Sequence, residues 1–391
     1  MPKTLNPLPQ LRPLALALLL AQTVLAQAQA AGETPSLHAI DVIAAPVIGA
    51  PGAPTVDLTG PQLLLRQGES STLGAALSGL PGLTSTWYGP NADRPVVRGL
   101  DGNRVDILSN GSPLLDASAA SYDHNAPLNP LAARAIELLR GPQALPYSGG
   151  AVGGVVDVID DAIPTAPLRG VEGLAQLRGD SAFPGGSAAF SLDGGNGALG
   201  LHADGYKRRA SDYVAPNGAQ AESIVDGRVR NSAADGYGGG LGGGVTGRWG
   251  FVGLSVRSDA NRYGTIVDPN VEIDMRSERT SLRGELRHVL GADALGLAYT
   301  HTQYRHTELD SGQPATRFVN QGDTLRLSLR RRLVGIDLQL GLQALRLAFS
   351  ALGDEAFLPQ THTRNTAVFG LASGASGRWA WSAGTRLESA R

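Results

Sequence analysis

"GALGLHADGYKR", residues 197–208, alternates without a break: Leu199, Leu201 and Ala203 fall on one face of an extended chain, and Gly200, His202, Asp204 and Tyr206 on the other. Successive side chains of a β-strand point to opposite faces, so this stretch has one apolar and one polar side. The style recurs in "RSERTSLRGELRH" (276–288), where Arg279, Arg283, Glu285 and Arg287 share a face, in "ALGLAYTHTQYRH" (294–306) and in "GIDLQLGLQALRLAFSALG" (335–353). Segments of about ten residues, apolar outward and polar inward, are the signature of transmembrane β-barrel strands. Short turns at "GGNG" (194–197), "GRWG" (247–250), "LGAD" (290–293) and "RRLVG" (331–335) alternate with polar stretches near 181–187, 207–234, 259–276, 307–320 and 351–364. Outer-membrane barrels have such short turns on one side and long loops on the other. From residue 168 the pattern predicts about eleven strands by Arg391, where closed bacterial barrels take an even number, so the sequence reads as a fragment.

Composition agrees with that reading. Of 391 residues, 52 are Gly, 42% are hydrophobic and only 17% are charged. Lys plus Arg (33) nearly balances Asp plus Glu (35), so no basic excess points to nucleic acid. There is no Cys, which excludes disulfides and thiolate metal sites; a metal here must use His, Asp, Glu or a neutral oxygen.

Residues 1–30 read as a cleaved export signal. Lys3 and Arg12 precede the apolar run "PLALALLLAQTVLA", which falls short of the ~20 residues of a spanning helix, and "AQAQA" supplies small-x-small cleavage sites. Residues 31–55 are rich in Ala, Pro and Gly and are expected to be flexible. Within them "HAIDVIAAP" (38–46) is a β-prone island, able to add as a strand to a partner's sheet edge or to serve as a plain linker. Residues 56–163 form a mixed α/β region: a helix is predicted in "STLGAALSGLPGL" (71–83), strands around Val96–Arg98 and Val105–Leu108, an amphipathic segment in "PLAARAIELLRGP" (130–142) and a β-branched strand in "GAVGGVVDVIDD" (150–161).

The chemistry concentrates in "SYDHNA" (121–126), where Asp123 and His124 stand side by side among small and apolar residues. The pair either caps a turn or coordinates a metal, and zinc accepts both imidazole nitrogen and carboxylate oxygen. His306 with Glu308 and Asp310, in "HTELD", clusters at the outer end of a barrel strand and reads as an ion-capture site or a solvated loop; His362 in "THT" reads the same way. His202 with Asp204 faces the lumen as part of the wall's hydrogen bonding. In "GGGLGGGV" (238–245) small residues leave room for a neighbouring body rather than for phosphate, because no strand–GxGxxG–helix setting surrounds them. No Ser–His–Asp order or paired carboxylates suggest an enzyme.

"RPVVRGLDGNRVDILSNGSPL" (94–114) and "IELLRGPQALPYSGGAVGGVVDVID" (136–160) resemble the plug domain of TonB-dependent outer-membrane receptors. The resemblance implies a β-rich membrane protein: an N-terminal mixed α/β plug domain followed by part of an antiparallel transmembrane β-barrel of about 22 strands, here residues 168–391. It places the TonB box at Ile40, Asp41, Val42 and Ile43, and implies the TonB energy-transducing complex and outer-membrane lipid as partners. "SYDHNAPLNPL", with "EIDMRSERTSLRGELRH", "YRHTELDSG" and "ALGDEAFLP", resembles the zinc-receptor branch of the family. That likeness makes Asp123 and His124 zinc ligands on an exposed apical turn, with Glu355 a further carry-over; His306, Glu308 and His362 complete the candidate metal residues. The expected function is import of a scarce metal ion, zinc first, into the periplasm, with zinc as transported ligand and no tightly bound cofactor. The alternatives are the same architecture carrying copper, haem, cobalamin or another metal-chelate, or a non-transporting surface adhesin. Arg98, Glu137 and Arg140 are expected to hold the plug against the barrel wall.

Overall fold

The computed structural model describes residues 56–391, apart from residues 70, 119–122, 182, 220, 355 and 357–358. The TonB-box candidates Ile40–Ile43 and the metal candidate Glu355 therefore lie outside the described residues.

The plug begins with β1 (Val56–Thr59), helix α1 (Gly60–Glu69) and helix α2 (Leu73–Leu77). Thr72 caps α2: its side chain accepts from the Ala75 N–H and donates to Asp93 at 2.7 Å, supplying a partner that a helix start lacks. The predicted helix over 71–83 is thus real but shorter, ended by Ser78 before Gly79 and Gly82, both in the left-handed region. Strands β2 (Leu83–Ser85) and β3 (Pro95–Val97) pair, followed by β4 (Val105–Ser109), β5 (Ser112–Pro113), β6 (Ala135–Leu139) and β7 (Gly154–Ile159). The amphipathic 130–142 segment yields the strand β6 after one turn of 3-10 helix; Ile136 and Leu138 enter the core on one face. These form a five-stranded sheet in the order β1-β6-β7-β4-β5, with β4 and β7 parallel. β7 is buried throughout, which its run of Val and Ile allows.

Glu137 lies on the plug strand β6. It stands directly between Asp57 and Asp157 across three plug strands, and burial together with those carboxylates pushes its own carboxyl up to about 7.

From Arg169 onward the chain forms one eleven-stranded antiparallel sheet in sequence order. Its members are β8 (Arg169–Asp180), β9 (Gly185–Asn196), β10 (Leu199–Ala210), β13 (Ala234–Gly247), β14 (Gly250–Gly264), β15 (Val271–Val289), β16 (Ala292–Asp310), β17 (Gln313–Leu333), β18 (Ile336–Gly353), β19 (Thr361–Ser376) and β20 (Trp379–Ala390). The short hairpin β11 (Ile224–Val225) and β12 (Arg228–Val229) sits in the connection after β10. The alternation read from the sequence holds: Leu199 and Leu201 are exposed, whereas His202, Asp204 and Tyr206 are buried against the lumen side.

The expected long loop at 307–320 is instead mostly strand. β16 and β17 run to a two-residue turn at Ser311–Gly312. Strand pairing needs no apolar side chains where the wall rises past the bilayer, so polar sequence there continues the ladder. This lengthening determines where the functional residues sit.

Glycines of β13 and β14 seat the plug. Residues Ala162–Pro164 join β7 to β8 and run along the wall so closely that a Cβ on Gly242 would collide with the Ala162 carbonyl oxygen, and one on Gly253 with the Ile163 side chain. Gly242→Ala is therefore expected to destabilise the folded protein by about 1–3 kcal/mol, the usual cost of overpacking. Gly179→Ala, whose Cβ meets nothing within 4 Å, is expected to be neutral. Melting curves of the two detergent-solubilised variants check this.

Candidate metal centre

Three residues converge between plug and wall. His124 follows β5 in the plug, whereas His306 and Glu308 lie two apart on β16 and so share its inward face. One ligand atom from each lies within 4.8 Å of the others. His124 Nε2 is 2.9 Å from Glu308 Oε1, and His306 Nε2 is 3.7 Å from the same oxygen. Zinc bonds of ~2.0–2.1 Å in a tetrahedron put ligand atoms about 3.3 Å apart. The two observed spacings bracket that value.

The surroundings fix the rings. His306 stacks on Phe318, its cross-strand partner, at 4.4 Å between centroids, and its Nδ1 is 2.8 Å from the Tyr304 hydroxyl. That leaves Nε2 buried with no hydrogen-bond partner and 3.7 Å from Glu308. Metal-binding imidazoles are commonly oriented in this way through the other ring nitrogen. The Asn125 N–H donates to the Tyr263 hydroxyl at 2.9 Å, tying the plug loop to β14 beside the centre. Tyr263, Ile273, Met275, Tyr304 and Phe318 form a buried cluster beneath it.

The expectation of an exposed turn fails for His124, which is 1% exposed; His306 is 0% and Glu308 6%. The lengthened strands β15–β17 wall the turn in. Asp123 is half-buried, and its Oδ1 is 3.0 Å from His124 Nδ1, on the opposite side of the ring from Glu308 and outside the three-residue group. It braces the imidazole there. His362 does not join: it is exposed on β19, opposite Ala348, on the outward face. Asp310, at the end of β16, is also outside the group.

Charge follows from this geometry. Burial opposes protonation of His124, but the Asp123 and Glu308 carboxylates outweigh it and push the imidazole up to about 9. In the metal-free state a proton on His124 balances charge that a divalent cation would otherwise balance. The sequence reading missed Tyr304 and Met275. Met275 is buried, lies directly opposite His306 and is the one Met besides Met1, a scarcity that could have marked it.

A second buried polar group lies lower in the wall. His202 contacts Asp193 at 2.8 Å and Asp204 at 3.2 Å, while Arg257 clamps Asp204 and Asp259. This is the wall network expected for His202 and Asp204.

Comparison with known proteins gives the same architecture. Residues 50–155 match the family model of the TonB-dependent Receptor Plug Domain. A hemin receptor of Yersinia enterocolitica is 30% identical over 158 residues, 38% of this chain and 23% of that protein. Among solved structures, the copper transporter OprC superposes with TM-score 0.72 at 18% identity, covering 86% of this chain and 55% of its own. The FrpB iron transporter from Neisseria meningitidis gives 0.66 at 15% identity over 85% of this chain and 57% of its own. The chain thus spans little more than half the length of these structures. It carries a TonB-dependent receptor plug domain set against a sheet with the fold of the outer-membrane barrels that house such plugs, and its place is the outer membrane.

Proposed function

We propose that the chain forms the plug and part of the barrel of a TonB-dependent receptor that imports a scarce metal ion, zinc before others, into the periplasm. The observation that carries this reading is the buried set of His124, His306 and Glu308, contributed by two bodies at zinc-like spacing. Two imidazoles and a carboxylate suit zinc, and a centre shared between plug and wall is dismantled whenever the plug moves. Movement would come from the TonB complex acting on the segment that holds Ile40, Asp41, Val42 and Ile43. Haem, cobalamin or a bulky chelate fits poorly: His306 lies flat on Phe318, and the rings of His124 and His306 are 4.5 Å apart. An adhesin needs neither plug nor buried centre.

Copper is the second reading, favoured by Met275 opposite His306, since thioether sulfur suits Cu(I). Titration of the purified protein with Zn(II) and, under reducing conditions, with Cu(I) decides between them. Zinc import expects one Zn(II) per chain held more tightly than Cu(I), and unchanged zinc affinity in Met275→Leu. Tighter Cu(I) binding that Met275→Leu abolishes would replace zinc by copper. In cells, Ile40→Pro with Val42→Pro is expected to stop uptake while leaving surface binding intact, because Pro removes the N–H groups that strand addition requires.

A further inference from the structure

The outward face of β15–β17 carries an apolar band and, well above it, a basic groove. Leu282 and Leu286 on β15, Leu295 and Leu297 on β16, and Leu325 and Leu327 on β17 alternate outward and make the lipid-facing band. Toward the other end of the same strands, Arg276 and Arg305 are exposed and stand directly opposite each other. Arg317 on β17 pairs with Thr307, the next outward residue of β16 after Arg305. The three arginines line one open groove with Asp274, Thr307 and Leu352.

Like charges directly opposite across an antiparallel pair destabilise it. Among the described residues none of the three arginines has a carboxylate within ion-pair distance. Asp274 faces Arg262 across β14, and Glu278 faces Gln303. The groove is therefore a net positive surface that an anion would complete.

Its height identifies the anion. Arg305 lies six residues above Tyr299, the last outward residue of the apolar band on β16. At ~3.4 Å per residue and a strand tilt of ~45°, that is about 14 Å above the acyl layer. A phospholipid head group occupies only about 5–7 Å beyond the hydrocarbon. We propose that Arg276, Arg305 and Arg317 bind the phosphorylated sugar head group of an outer-leaflet glycolipid, whose acyl chains lie along the leucine band below.

The test uses the detergent-solubilised protein titrated with purified core-bearing lipopolysaccharide, with phosphatidylglycerol micelles, and with inorganic phosphate. The parent is expected to bind the glycolipid at least tenfold more tightly than the Arg276→Ser/Arg305→Ser/Arg317→Ser variant, and to bind the other two weakly. Without glycolipid the variant should melt no lower than the parent, because like-charge repulsion is relieved; a purely structural role predicts a lower melting temperature. Equal glycolipid binding by parent and variant overturns the proposal. So does parent binding to phosphatidylglycerol or phosphate as tight as to the glycolipid, which marks a general anion surface. Should the triple variant not fold, Arg305→Gln alone is expected to weaken glycolipid binding severalfold, and unchanged binding there overturns the proposal equally.

Discussion

Glu308→Gln is expected to lower zinc affinity by about a hundredfold or more while the plug stays seated. Loss of a supporting partner commonly costs 10–100-fold in metal affinity, and Glu308 is placed as a ligand rather than a support, so its loss should reach or exceed that range. The amide keeps the shape of the carboxylate and can still accept from His124 Nε2, now 2.9 Å away, so the plug should stay seated, although the melting temperature falls with the lost charge beside the His124 proton. Asp123→Asn, on the far side of the ring, should cost only about tenfold. The two variants together separate a metal centre from a plain electrostatic clasp between plug and wall. A clasp alone predicts a lower melting temperature for Glu308→Gln with zinc binding unchanged. Isothermal titration beside thermal melting reads both quantities, and zinc affinity equal to the parent's in Glu308→Gln would remove the centre from consideration.

Zinc affinity is also expected to climb about tenfold per pH unit from pH 5.5 to 7.5, a hundredfold in all. The sign follows from His124. Its imidazole is protonated up to about pH 9 in the metal-free protein, and metal requires it neutral, so each bound zinc displaces one proton across that window. An unperturbed histidine, near ~6.5, would instead level off above pH 6.5. Competition against a chelator of known pH dependence gives the slope, and titration in buffers of different ionisation enthalpy counts the released proton. A plateau above pH 6.5 would show that Asp123 and Glu308 do not hold the charge of His124 in solution.

The barrel wall was legible because its alternation is strict over many strands: Leu199, Leu201 and Leu325 could only face lipid if His202 and Thr324 faced inward. The plug's β7 was legible from its β-branched run. Helix α1 was missed although Thr59 and Pro61 stand at its start, and β6 was read only as an amphipathic segment, because five residues cannot distinguish the two periods. In the centre, His124, His306 and Glu308 were each visible as residues, but not as one site. His124 and Glu308 are 184 residues apart, and only the docking of plug on wall brings them together. The same docking buried His124, which the family resemblance had placed on an exposed turn. His362 was misplaced because a loop was expected where β19 already pairs with β18, and pairing assigns it the outward parity.

The position of β1 has a mechanical consequence. It is the edge strand of the plug sheet, and the chain before Val56 joins the plug through it. Tension on that leading chain loads β1 first. Along the covalent backbone, the load would have to cross both helices and strands β2 to β5 before it reached His124. Across the sheet the route is short, because β1 is hydrogen-bonded to β6, which begins soon after the His124 loop. The ladder Val56↔Leu138 to Thr59↔Ala135 acts as a lever arm that carries strain sideways to the loop. If that ladder is the weaker joint, it parts and the strain goes into unravelling the helices; if it is the stronger, the loop is drawn off the wall. The rupture force of four residue pairs therefore sets which part of the molecule yields.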